Sequence, residues 1–187
     1  LNDGNNNVSV GDSAGAAITT GTNNVLVGDS AGDSLTSGSY NIAIGKNALQ
    51  AEDAHGRNIA IGHAALEDQN AGADAYNIAV GYAAGRNITS GIFNTLMGGL
   101  AGDAINTGNN NVAIGYSSLT SETKGDRSVA IGNFTLQNQN NTSNVDAYNV
   151  AVGHQAGLSV TTGTQNTLVG GLAGDALTTG VHNVALG

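Results

Sequence analysis

Cysteine, proline and tryptophan are absent from this 187-residue sequence, and aromatic residues make up only 4% of it. Without cysteine there is no disulfide framework and no thiolate chemistry, and the redox compartment leaves no trace. The scarcity of large side chains excludes an ordinary mixed globular core and requires a thin one. Basic residues are scarce too, five against fourteen acidic ones, for a net charge of −9. Nucleic acid and anionic lipid both demand clustered Lys and Arg, so neither is an expected partner. The acidity suits a soluble outer surface whose repulsion limits bundling. No hydrophobic run approaches the roughly 20 residues of a membrane helix, so this segment is not expected to insert into a membrane. No signal peptide opens the chain. It starts at Leu1 in mid-pattern and stops on a repeat-closing Gly187, as a piece of a longer fibre would.

What is abundant is repetition. The pattern Asn, apolar, any, apolar, Gly, its apolar positions mostly Val, Ile or Leu, recurs eleven times, with Ser128 replacing the asparagine once and Thr95 and Thr167 standing at the first apolar position. Examples are Asn24-Val-Leu-Val-Gly28, Asn58-Ile-Ala-Ile-Gly62 and Asn111-Val-Ala-Ile-Gly115. The closing glycines step by 17 residues, except for one step of 19 and one of 21. A fixed period of this size marks a solenoid, and a catalytic domain with one unique site would not need it.

A longer order lies over the short one. Four residues after each closing glycine the chain reads Gly15, Gly32, Leu49, Leu66, Gly85, Gly102, Leu119, Leu136, Gly157 and Gly174. Two glycine coils therefore alternate with two leucine coils, and both long steps follow the second leucine coil. Residues 1–187 form a single repeat domain with four-coil super-repeats at 7–76, 77–148 and an incomplete 149–187. Stretches 98–115 and 170–187 differ at only five of eighteen positions, which points to block duplication.

Alternation along each motif puts its two apolar residues on one face and Asn, the central residue and Gly on the other. The apolar face is expected to enter a core shared with a second segment, where Ala14, Ala31, Ala48, Ala65, Ala84, Ala101, Ala156 and Ala173 recur. Each coil then holds two short strands and two turns. The turn glycines are Gly11, Gly28, Gly45, Gly62, Gly81, Gly98, Gly115, Gly132, Gly153 and Gly170, at backbone angles other residues avoid. Thr-Gly and Ser-Gly pairs such as Ser37-Gly38 and Thr107-Gly108 mark the second turn. Stacked coils bring Asn7, Asn24, Asn41, Asn58, Asn77, Asn94, Asn111, Asn149, Asn166 and Asn183 into a structural amide ladder at about 4.8 Å spacing.

One chain with about five large apolar residues per coil buries little, and a lone ribbon is marginal. Packing small-residue faces of three chains around a common axis is the expected remedy, giving a homotrimer. At this point Asn111-Val-Ala-Ile-Gly115 and Arg127-Ser-Val-Ala-Ile-Gly132 carry a resemblance. They are similar to the head repeats of the YadA-like trimeric adhesins, and the array also resembles segments of phage tail fibres, over essentially all of residues 7–187. The resemblance implies a trimeric left-handed parallel β-roll on a cell or virion surface, working in attachment. The adhesin heads repeat at about 14 residues and this chain at 17, so the family's collagen or matrix binding does not carry over.

Chemical sites are sparse. Gly11-Asp-Ser-Ala-Gly15 and Gly28-Asp-Ser-Ala-Gly32 look like a serine-protease string, but they occur twice on a repeat scaffold with no base held against them, so no catalytic residue is assigned. His55, His63, His154 and His182 occupy different places in their coils and form no metal set. Glu52 with Arg57, and Glu122 with Arg127, read as exposed ion pairs. No cofactor is expected. The one cation the loops admit is calcium, at Asp74 or Asp146, although no EF-hand or nonapeptide pattern accompanies them. Insertions 67–76 and 137–148 are the candidate partner loops, through Asp68, Gln69, Asn70, Gln137, Asn138, Gln139, Asn140, Asn141 and Thr142, whose amides and hydroxyls suit sugars. Deleting 137–148 is expected to leave the fold intact.

The sequence thus reads as an all-β, non-enzymatic structural or adhesive segment of an extracellular fibre, a parallel solenoid of about eleven 17-residue coils. Its partners are itself, as a homotrimer, and a host or surface glycan or protein receptor. The competing reading is a monomeric solenoid, either a hexapeptide-type acyltransferase or an ice-binding protein. The former needs three hexapeptides per coil and the latter an array of Thr-x-Thr.

Overall fold

The computed structural model describes residues 6–187; residues 1–5 of the expected repeat domain lie outside them. Eleven three-residue strands follow one another: β1 (Val8–Val10), β2 (Val25–Val27), β3 (Ile42–Ile44), β4 (Ile59–Ile61), β5 (Ile78–Val80), β6 (Thr95–Met97), β7 (Val112–Ile114), β8 (Val129–Ile131), β9 (Val150–Val152), β10 (Thr167–Val169) and β11 (Val184–Leu186). They form one sheet in sequence order, every neighbouring pair parallel. Register matches like with like, Ile42 opposite Ile59 and Ala43 opposite Ala60. The chain is a parallel β-solenoid of about eleven turns, with no helix among the described residues.

The expected second strand is absent, for a backbone reason. The second residue after each closing glycine and the fourth both stand at positive φ, as Asn47 (57°) and Leu49 (52°) illustrate. Left-handed residues cannot extend into a strand. The segment nevertheless bonds to its neighbour coil: the Leu49 N–H donates to the Ala65 carbonyl at 3.0 Å and the Gly85 N–H to the Ala101 carbonyl at 3.0 Å. This wall of the solenoid is a stack of turns, and its backbone donors are still satisfied.

The strand faces are the reverse of the sequence expectation. The central residues, Leu26, Ala43, Ala60, Ala79, Leu96, Ala113, Ala130, Ala151 and Leu168, are buried, while the flanking Val and Ile are half-exposed or exposed. A 17-residue coil has room inside for one strand side chain, the Asn amide, and what the turns contribute. The β-branched pair is therefore left outside.

Interior volume is traded between wall and strand. Where the fourth residue after the closing glycine is Gly15 or Gly32, the Leu26 side chain fills the space; a Cβ at Gly15 would stand 2.7 Å from Leu26 Cδ1. Where it is Leu49 or Leu66, both fully buried, the strand centre shrinks to Ala43 or Ala60. This alternation produces the two-plus-two super-repeat. The closing glycines are required twice over. Gly81 has φ of 141°, and a Cβ there would lie 2.5 Å from the Gly98 carbonyl oxygen of the next coil. No side chain fits that approach.

Candidate functional site

The asparagines form a buried ladder. The Oδ1 of Asn77 accepts the Asn94 N–H at 2.8 Å, and the Oδ1 of Asn94 accepts the Asn111 N–H at 2.9 Å. In eight of the ten asparagines Nδ2 reaches across its own coil, that of Asn94 to the Gly108 carbonyl at 2.9 Å and that of Asn149 to the Gly163 carbonyl at 2.7 Å, while Asn58 Nδ2 is buried without a partner among the described residues. One amide thus ties the strand start to the second turn and to the following coil. Backbone donors that the tight interior hides from water find partners there. The bonds run from Asn7 to Asn183, with Ser128 as the substituted rung. A ligand at these amides would have to displace buried structural hydrogen bonds.

The opposite, outward side of the sheet is apolar. Two columns of apolar side chains run its full length, and Val10, Ile44, Ile78, Met97, Ile131, Val169 and Leu186 among them are exposed. Only Thr95 and Thr167 put a hydroxyl in these columns. Monomeric soluble proteins rarely show a contiguous apolar face of this kind.

The positions flanking several of the motifs carry stacked rings. Before the asparagines of four successive coils stand Tyr40, Arg57, Tyr76 and Phe93. The Arg57 guanidinium lies 5.3 Å from the Tyr40 ring centre and 5.6 Å from that of Tyr76, and Tyr76 stacks on Phe93 at 5.6 Å. Arg127 over Tyr148, at 5.7 Å, repeats the arrangement. After the closing glycines, His63 stacks on Tyr82 at 5.4 Å. Aromatic and cation–π contacts at coil spacing hold these columns straight.

Inside the solenoid the structure places two carboxylates that were expected on the surface. Glu52 and Glu122 are fully buried. Their expected partners face elsewhere: Arg57 pairs with Asp74 and Arg127 with Asp146. Asp74 also accepts the Gly56 N–H at 3.0 Å, so these aspartates bind the inserted loops to the preceding coil. The seventh position after the closing glycine explains the burial. It reads Ile18, Leu35, Glu52, Gln69, Ile88, Ile105, Glu122, Gln139, Val160 and Leu177, an inward column that is aliphatic in glycine coils and polar in leucine coils. Aligning the coils on that position would have revealed it.

Glu122 is saturated. Its Oε1 accepts the N–H groups of Thr123 (2.9 Å), Lys124 (3.1 Å), Gly125 (2.8 Å) and Asn141 (3.0 Å). Its Oε2 accepts Gln139 Nε2 and Asn141 Nδ2, both at 2.8 Å. Six donors on one carboxylate compensate a charge taken out of water. Glu52 has one close donor, the His55 N–H at 3.0 Å, and its Oε2 has no partner among the described residues. Burial pushes the Glu52 carboxyl above its ordinary range, against the opposing pull of the His55 N–H and charge.

The candidate partner loops accordingly split. Asp68, Asn70, Asn138 and Thr142 are exposed and Gln137 and Asn140 half-buried, whereas Gln69, Gln139 and Asn141 are buried. Gln139 bridges Glu122 to Ser128 Oγ and to Asn149, and Gln69 holds Asn77 Nδ2 at 2.6 Å. Gln69 and Gln139 fill the core position that the leucine coils make polar and Asn141 bonds to Glu122, so all three side chains are turned inward, away from any partner, and the 137–148 loop builds the core it was expected to decorate. In the second protease-like string Asp29 engages Ser30 Oγ at 3.2 Å and Lys46 at 2.9 Å, a surface arrangement with no histidine in it. No family model, curated protein or solved structure matches the chain, so its function is argued from these surfaces alone.

Proposed function

We propose that this chain is a non-enzymatic shaft or adhesive segment of a homotrimeric extracellular fibre, on a cell or virion surface, serving attachment. The coils wind left-handed as in the β-rolls it resembles. The observation that carries this reading is the pair of Val and Ile columns exposed along the whole sheet. A rod that leaves its oily side outward in every coil is half of an interface. Three such sheets facing a common axis bury the columns without lengthening any coil, and cyclic symmetry closes the assembly. The packing surface is therefore the β-branched face, in place of the small-residue face, which is already used inside each chain.

Attachment then falls to the sides turned away from the axis. The exposed loop residues Asp68, Asn70, Asn138 and Thr142 offer the polar groups that a glycan or protein receptor would engage. The acidity of the chain keeps neighbouring fibres apart. An ice-binding face gains nothing from columns with two threonines, and an acyltransferase gains nothing from an interior with no repeated hexapeptide wall.

Light scattering on the intact chain tests the assembly. A mass of about 55 kDa, three times 18.4 kDa, is expected; a stable species of 18.4 kDa would overturn the fibre reading and return the exposed face to the ice-binding alternative.

A further inference from the structure

The four-coil super-repeat makes the third coil and the seventh sister sites, and their chemistry differs. At the second turn, most coils place a glycine, such as Gly38, Gly108 and Gly125, whose carbonyl accepts the ladder amide. The third coil places His55 there, with the same carbonyl role toward Asn41 at 3.2 Å. At the seventh coil a Cβ on Gly125 would press to 2.7 Å from Glu122 Oε2, so a side chain at this position points at the buried carboxylate.

His55 Nδ1 stands 3.8 Å from Glu52 Oε1 and is itself buried without a hydrogen-bond partner among the described residues. The donors that saturate Glu122 are missing: Ala71 stands where Asn141 gives two hydrogen bonds, and Gln69 Nε2 turns to the Thr89 carbonyl at 3.1 Å. Asp53 follows Glu52 in the chain and adds a second negative charge. Glu52, Asp53 and His55 each offer a donor atom, all within 4.8 Å of one another.

We propose that Glu52, Asp53 and His55 bind one divalent transition-metal ion of the zinc class. Two carboxylates and a neutral imidazole make a donor set of net charge −2, and the ion supplies the stabilisation that six neutral N–H donors supply at Glu122. Imidazole with carboxylate selects zinc-like ions over calcium, which prefers oxygen alone. Donors on a tetrahedral zinc stand about 3.3 Å apart at bonds of about 2.0–2.1 Å. Asp53 is exposed and His55 half-buried, so both have room to close to that distance. Three protein ligands leave a fourth position to water. No catalysis is implied: the ion joins the floor of the turn to its tip.

Calorimetry with zinc chloride on the EDTA-dialysed full chain tests this. One zinc per chain is expected. His55→Gly installs the residue that most other coils carry, so the fold should tolerate it. It should weaken binding at least about a hundredfold, since loss of even an outer-shell partner costs about 10–100-fold. Asp53→Asn, at an exposed position, should weaken it less, and His63→Ala should leave it unchanged. Nitrogen NMR should show the His55 ring, and no other imidazole, shifting on zinc addition. No stoichiometric uptake, uptake unchanged in His55→Gly, or calcium taken up in place of zinc would each overturn the proposal.

Discussion

Single residues in this protein hold unusual conformations because the next coil holds them there. Leu49, Tyr40 and Phe93 sit at φ of 52°, 62° and 61°. Each such residue costs on the order of 1 kcal/mol, offset by burial or ring stacking and by the regular bonds between coils. The ladder asparagines bear the heaviest single load. Asn94→Ala removes the acceptor for the buried Asn111 N–H and the donors to the Gly108 carbonyl and Asn77 Oδ1. Orphaned buried groups cost about 1–3 kcal/mol each, so a loss of about 2–4 kcal/mol is expected, read as a lowered thermal midpoint. Asn94→Ser should recover only part of it, because the serine rung at Ser128 depends on Gln139, which the Asn94 coil lacks.

At the scale of the coil, a strand of three residues is stable only because it is one rung of eleven. Sister coils use the same scaffold differently, and the two buried glutamates separate them. Glu122→Gln points an amide N–H₂ at donors that need an acceptor, and we expect a destabilisation of about 2–4 kcal/mol from unpaired donors. Glu52→Gln in EDTA should cost far less, because its Oε2 has no donor to lose. Thermal melts of both variants side by side decide the matter; equal losses would mean that the Glu52 carboxylate is held by contacts equivalent to those of Glu122.

For the molecule as a whole, the exposed columns are the surface through which the proposed fibre assembles. Two central positions, Ile44 and Ile131, are a little over one-third exposed, at 37% and 36%, and point away from the interior. The double change Ile44→Lys, Ile131→Lys should leave the β circular-dichroism signal in place and shift the scattering mass to 18.4 kDa, because charges stacked against a copy repel without touching the solenoid core. Loss of the β signal along with the trimer would mean that single chains do not fold alone, as is common for obligate assemblies.

The sequence by itself determined the period, the number of coils, the strand in each, the in-register parallel pairing, the asparagine rungs and the glycines at the coil junctions. All of these follow from local pattern repeated at fixed spacing, and repetition amplifies a weak signal. It did not determine which side of the strand closes inward. Alternation in Asn58-Ile-Ala-Ile-Gly62 defines two faces, but the choice between them depends on the size of the interior, which exists only once the coil has closed. The same closure turned the second segment into a left-handed wall and drew Glu52, Glu122, Gln69 and Gln139 into the core. Residues that look like surface groups in the chain were buried because the leucine coils leave a polar gap at the seventh position. Only the stacked structure has that gap, and only there do His55, Asp53 and Glu52 meet at one turn.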